Sequence, residues 1–351
     1  MAVPRPCRHI SALLKNIFLI YGGKFYQCFF GAFLLSLSLF YFQHYSHYFS
    51  TGLLVLFTIG LFRNLLNESD ISISPLMLIQ SFDPWSGRFC TCPPKYSLNP
   101  YTGCSHGCLY CYITSYIPQG FHCRPKKNLI LRLSQDLTKC HDRYLSISNS
   151  SDPYPPEEKK YKLMTKILPL LKDSGIKVLL VTKSNLITRD IPILRTMSLA
   201  VSLSITTLDT DWAQRIEPHA PPPSKRLHAL KLLSSSHIPC SVRLDPIIPG
   251  VNDEEITDII TAISPYCKHV VSSTVKPRRD AMKRLSVALP DIVTNLSFQL
   301  QGNTYYLPKK QRYSLMKKVK KTCEAEHLTF ATCREGFPEM HTATCDGSHL
   351  I

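Results

Sequence analysis

Acidic side chains are scarce: 25 Asp and Glu stand against 41 Lys and Arg over 351 residues, a net charge of +16. That excess points to a polyanion, an anionic cofactor or a membrane surface as partner, without choosing among them. A cleavage site is also lacking. No small-residue motif follows a short apolar region near residue 20, which argues against a cleaved signal peptide. Charge is missing from two whole stretches, the 18 residues Phe25–Phe42 and the 15 residues Tyr48–Phe62. The first is long enough to span a bilayer and the second is marginal. Arg5, Arg8, Lys15 and Lys24 precede them and Arg63 follows, while the intervening "QHYSHY" has no Lys or Arg. A membrane hairpin with both ends in the cytoplasm satisfies the positive-inside rule. The alternative is a non-functional leader from an over-extended reading frame.

Cysteine, by contrast, is plentiful, with 14 in a chain whose hydrophobic fraction of 44% is ample for a core. Disulfide frameworks belong to short, core-poor secreted chains. Here the thiols crowd at Cys90, Cys92, Cys104, Cys108 and Cys111 and then scatter, a distribution that favours metal binding in a reducing compartment. The stretch "NPYTGCSHGCLYCY" holds three cysteines and lacks a fourth. An iron-sulfur cubane normally takes four thiolates, so three leave one iron open to a ligand that is not protein. A closed structural zinc site is the alternative, and it would need His106 as its fourth ligand.

After Pro75, strand-like and helix-like patterns alternate. Strands are expected near "KYSLNPY" and at 144–148, 177–182, 199–206, 239–248 and 268–275, with helices at "PEEKKYKLMTKILPLLKDSG", "TRDIPILRTM", "PSKRLHALKLLSSSH" and "DEEITDIITAIS". Six such units between about residues 95 and 280 make an α/β fold, a partial (β/α)6 barrel of the TIM type whose chemistry sits in the loops after the strands. The expected division is a hydrophobic leader over 1–74, a core barrel over 75–280 and a basic helical extension over 281–351.

Cys104, Cys108 and Cys111, with Tyr110 before the last, resemble the signature of the radical S-adenosylmethionine (SAM) superfamily. "SDPYPPEEKKYKL", "VTKSNLITRD", "SLSITTLD", "RIEPHAPPPSKRLHAL", "PIIPGVND" and "TCDGSHLI" extend the resemblance to its spore photoproduct lyase and DNA repair photolyase-like branch, from about residue 76 to the end. The resemblance implies a [4Fe-4S] cluster on the three cysteines and S-adenosyl-L-methionine bound at its open iron. It also implies a reducing electron donor of the flavodoxin or ferredoxin type. Ser151 and Asp152 would meet the ammonium group of the cofactor, Lys183 and Ser204 its carboxylate, and Tyr110 its adenine. Arg215 and Glu217 are assigned to the cofactor or its ribose, with a structural loop and a surface ion pair as the alternative. Arg243 and Asp245 form an inward pair, either substrate-binding or architectural.

Cys90, Cys92, Cys333 and Cys345 are a candidate second metal site, brought together if the C-terminal segment docks over the first strand. Cys123, Cys140, Cys240, Cys267 and Cys323 are read as packing residues. One departure concerns the reaction. Spore photoproduct lyases carry a hydrogen-donating cysteine just before the Ser-Asp step, where this chain has Asn149 and Ser150, which disfavours strict photoproduct repair. The basic runs "KPRRDAMKR" and "PKKQRYSLMKKVKK" make nucleic acid the leading substrate class. The expectation is thus a cytoplasmic radical SAM enzyme, lyase-like, anchored to the membrane by its leader. The alternative is a non-catalytic, metal-stabilised nucleic-acid-binding protein.

Overall fold

A computed structural model describes residues 77–82, 89–148 and 150–351. The expected membrane hairpin, the whole leader 1–74 and Asn149 lie outside the described residues. Among the described residues no helix is long and apolar enough to cross a membrane.

Among the described residues eight strands build one sheet in sequence order. They are β1 (Gln80–Ser81), β2 (Tyr96–Leu98), β3 (Leu145–Ile147), β4 (Val178–Thr182), β5 (Leu199–Ser204), β6 (Cys240–Ile247), β7 (His269–Thr274) and β8 (Thr329–Thr332). β1 pairs antiparallel with β2 through Gln80 opposite Ser97, and all other neighbours are parallel. The two faces of this sheet differ. Val178, Leu180, Val201, Leu203, Val242 and Leu244 join the helices in one apolar core, whereas Ser146, Ser204, Arg243, Asp245 and Ser273 line an internal cavity. Period-two alternation therefore separates a helix-covered outside from an inside where these polar side chains stand beside Leu179 and Val181.

The helices owe their seats to apolar residues at three- and four-residue spacing. On α1 (Leu129–Leu137) these are Leu129 and Leu133, and on α2 (Leu163–Asp173) they are Leu163, Met164, Ile167, Leu168 and Leu171. α3 (Pro223–Ser235) begins with Pro at its first position, where a missing N–H costs nothing. α4 (Ile256–Ile263) buries Ile256, Ile259, Ile260 and Ile263.

The single helix expected from Pro156 to Gly175 is broken at Lys162, which takes a left-handed conformation. Glu158 explains the break. Its buried carboxylate accepts from the Leu163 and Met164 N–H groups at 2.8 and 3.0 Å and so caps a new helix. Tyr101 and Arg189 complete its shell at 2.5 and 2.7 Å.

The six expected strands all form, and β8 adds a seventh parallel one. Residues 281–351, expected as a helical extension, include this strand and a hairpin of 299–301 with 304–306, beside α5 (Arg279–Ala288) and α6 (Lys309–Ala325). "TFAT" is too short to announce itself as a strand; pairing with β7 along four residues makes it one. The segment therefore belongs to the same compact unit as the barrel.

Candidate cluster and cofactor site

The three-cysteine loop leaves β2 through a short strand at Tyr101–Thr102. Gly103 and Gly107 precede Cys104 and Cys108, and both have positive φ, +80° and +66°. A Cβ on Gly103 would meet the His122 carbonyl oxygen at 2.3 Å, so no other residue fits there. The loop is pinned from two sides. Cys104 N–H donates to the Gly120 carbonyl at 2.8 Å, and Leu109 N–H donates to the Ile216 carbonyl at 2.9 Å. His219 N–H donates to the His106 carbonyl at 3.2 Å. The segment "RIEPH" thus holds the cysteine loop through its backbone.

Cys104, Cys108 and Cys111 line a cavity of about 300 Å³ inside the barrel, together with Tyr110, Ser151, Asp152, Lys183 and Ser204. Ser151, Asp152, Lys183 and Ser204 each sit just past or at the end of a strand, so parallel strands deliver them to one mouth. Asp152, after β3, accepts from Thr182 Oγ1 at 2.6 Å, Lys183 N–H at 2.7 Å and Tyr154 N–H at 2.9 Å, with His106 Nε2 at 3.4 Å. Burial opposes its charge, but His106 and these donors hold its carboxyl below the usual range. Ser151 Oγ donates to the Tyr101 carbonyl at 2.8 Å, so its hydroxyl also fixes the loop.

Glu217 lies behind the cavity and is 1% exposed. It receives Lys183 Nζ at 3.3 Å, Thr206 Oγ1 at 2.7 Å, the Tyr110 hydroxyl and the Arg226 guanidinium. Burial works against its charge, yet Arg226 and Lys183 hold its carboxyl far below the usual range. Burial also presses on the Lys183 ammonium, which Glu217 holds above the ordinary lysine value. Lys183 Nζ stands 5.5 Å from the centre of the Tyr110 ring. Two cations against one carboxylate leave this buried group with a positive surplus, which suits an anionic ligand.

Arg226 carries no distinctive signal along the chain. A basic residue early in a helix looks like a solvated side chain, and only its 1% exposure reveals the role. His106 turns to Asp152. Arg215 goes elsewhere: it is exposed, stacks on Trp212 at 4.6 Å and does not line the cavity. Arg243 and Asp245 do pair, at 2.8 Å, and Ser273 Oγ donates to the same Asp245 carboxylate at 2.5 Å.

The basic runs are partly spent inside the fold. Arg284 of α5 donates to the Cys111 and Leu109 carbonyls at 2.6 and 3.1 Å. Lys276 and Arg312 both bind the buried Glu335, at 2.9 and 2.8 Å. Lys309, Lys310, Lys317 and Lys321 stay exposed along α6.

Among the described residues no three Cys, His, Asp or Glu side chains are gathered around a single point as for one metal ion. A cubane asks for something else, because its three thiolates bind three different irons and so surround a cage. The loop residues fit such a group. Burial pushes all three thiols up, Cys108 to about 12, so they remain protonated until a metal replaces the proton. The positive surplus at Lys183 and Arg226 offsets the negative charge that three thiolates would bring.

Of the four other thiols, Cys345 Sγ reaches Cys92 Sγ at 3.3 Å and Cys90 hydrogen-bonds to Cys92. Cys333 lines the cavity beside Arg243. The C-terminal segment docks at the start of β2, where Lys95 Nζ meets Asp346 at 2.6 Å.

Comparison with known proteins agrees with this geometry. The Radical SAM superfamily profile matches residues 98–263. A protein of Methanocaldococcus jannaschii is 33% identical over 183 residues, 49% of this chain and 67% of its own length. One from Mycobacterium tuberculosis is 26% identical over 252 residues, 65% of this chain and 73% of its own length. Among solved structures, spore photoproduct lyase with bound AdoMet and dinucleoside spore photoproduct aligns with a TM-score of 0.55 at 13% identity. That alignment covers 68% of this chain and 75% of the other, a likeness of fold. The cysteine loop, the parallel barrel around it and the match of the sequence itself together establish that this chain belongs to the radical SAM superfamily.

Proposed function

We propose that this chain is an enzyme that cleaves S-adenosylmethionine reductively at a [4Fe-4S] cluster held by Cys104, Cys108 and Cys111, and that it acts on a nucleic-acid substrate in a lyase-like reaction. The observation that carries the reading is the lining of one cavity by these three thiols and by Asp152, Lys183 and Ser204. Held by these three thiols, the cluster would supply the one electron that reductive cleavage of the cofactor's sulfonium needs.

The chain's own residues prepare that event. Lys183 offers a fixed positive charge to the cofactor carboxylate, and Glu217 and Tyr110 keep it from swinging away. Asp152 is oriented by three donors and His106 before any ligand arrives, so its remaining acceptor capacity is aimed at the ammonium group. Ser204 Oγ borders the same space. Arg243, Asp245 and Ser273 line the same cavity as a neutral, hydrogen-bonded group, which suits a polar substrate. Relatives in fold include a lyase crystallised with a dinucleoside, and the net charge of +16 suits a phosphate backbone. Electrons would come from a flavodoxin or ferredoxin type of donor.

Anaerobic reconstitution followed by dithionite and S-adenosylmethionine tests the reading. The expected product is 5′-deoxyadenosine, with deuterium from substrate-labelled nucleic acid appearing in it. A reduced cluster that yields no nucleoside would leave a non-catalytic binding protein as the better account.

A further inference from the structure

Outside the cluster loop, two thiols from opposite ends of the described chain lie in contact. Cys345 Sγ is 3.3 Å from Cys92 Sγ, across a sequence separation of 253 residues. Cys345 is 4% exposed. The backbone on either side is fixed by charge. Lys95, three residues after Cys92, pairs at 2.6 Å with Asp346, the neighbour of Cys345. Tyr144 donates to the same carboxylate at 2.6 Å. Cys92, Lys95, Cys345 and Asp346 all face the cavity that the cluster cysteines line.

A disulfide needs its sulfurs at about 2.05 Å. The remaining gap of little over an ångström lies within the range of a side-chain rotation, and the ion pair keeps both segments in register while it closes. Geometry favours this chemistry over a metal: among the described residues no three Cys, His, Asp or Glu side chains gather here around one ion, whereas a disulfide needs only the two sulfurs and is neutral in a desolvated place. The contact with Cys345 and burial push the Cys92 thiol up to about 12, in keeping with such surroundings.

We propose that Cys92 and Cys345 form a reversible disulfide that locks the C-terminal segment onto the chain leading into β2 and so closes one wall of the barrel cavity. The oxidant is a small-molecule disulfide such as oxidised glutathione. One cysteine, as thiolate, attacks it, giving a mixed disulfide and one released thiol. The second cysteine then displaces the other thiol. The two protein thiols lose two protons and two electrons, and the oxidant is reduced to two thiols. Excess thiol reverses both steps.

The test uses the full chain with its cluster, purified without oxygen and equilibrated in glutathione buffers of graded ratio. Samples are then acid-quenched, alkylated and mapped by peptide mass spectrometry. A peptide pair joining Cys92 to Cys345 is expected in most molecules under oxidising ratios and in few under reducing ones. Hydrogen exchange over 342–351 should slow about tenfold in the oxidised form. The pair should vanish in Cys92→Ser and Cys345→Ser and persist in Cys140→Ser. The wild-type measurement stands even if a variant fails to fold. Glutathione adducts without a cross-link, a link between Cys90 and Cys92 instead, or unchanged exchange would each overturn the proposal. So would a zinc or iron ion beyond the four irons of the cluster that is lost in Cys92→Ser. The cross-link does not depend on cleavage of S-adenosylmethionine, so its failure and that of the enzymatic reading are separable.

Discussion

Arg284 donates to the Cys111 carbonyl at 2.6 Å, tying helix α5 to the last cysteine of the three-cysteine loop. The same guanidinium reaches the Leu109 carbonyl and Thr114 Oγ1, at 3.1 and 2.9 Å, and lies 4.9 Å from the Phe121 ring centre. One planar fork thus sets the loop's shape at three points.

Replacing that fork should loosen the loop without removing a ligand. Arg284→Gln is expected to lose iron on reconstitution, to about half of wild type, and to cost about 1.5–3 kcal/mol of stability for the hydrogen bonds lost. Arg284→Lys should fare only slightly better, because an ammonium cannot span the same acceptors. Iron analysis and denaturant unfolding measure both; full iron retention in the Gln variant would show that the loop holds itself.

Cluster ligation should separate the cysteines sharply. Ala at Cys104, Cys108 or Cys111 is expected to abolish the electron paramagnetic resonance signal of the reduced cluster. Cys123→Ala, which changes a buried packing residue, should keep it. Adding S-adenosylmethionine should shift the wild-type spectrum if the open iron accepts it.

Glu217 binds two cations at once, Lys183 and Arg226. Glu217→Gln leaves both without a counter-charge in a buried place and should destabilise the fold by about 3–5 kcal/mol. Lys183→Met leaves the Arg226 pair intact, so it should fold with full iron while binding S-adenosylmethionine at least roughly tenfold more weakly. Equilibrium dialysis with labelled cofactor checks the second outcome, and equal affinity would remove Lys183 from the cofactor site.

His269 gives the pH dependence a definite sign. Burial and the neighbouring His349 push it down to about 3, against about 6.5 in an unfolded chain. Below the unfolded value the unfolded state binds the extra proton, so this contribution is whole above about pH 6.5 and drains away toward pH 3. His269→Gln should flatten the fall in unfolding free energy between pH 7 and pH 5. Urea melts at those two values would show it, and parallel slopes in the two proteins would place the effect elsewhere.

What is local can be read along the chain. Three thiols on one glycine-punctuated loop, and apolar runs separated by amphipathic helices, identify a parallel barrel with a cysteine loop at its mouth, because thiol spacing and hydrophobic period are properties of neighbouring residues. The meeting of Asp152 and Lys183 at one cavity was legible too, since in a parallel sheet successive strand ends share one mouth. Tertiary structure alone decided the rest. Arg226 and Glu217 met under the loop, Arg215 turned away to Trp212, and Arg284 left its basic run to grip Cys111. Lys276 and Arg312 closed on Glu335. Each is a charged side chain whose meaning depends on whether it is buried and what lies opposite, and no spacing along a chain encodes that. β8 became a strand because β7 stood ready to pair with it, and Cys345 met Cys92 because the chain's end folded back to its beginning.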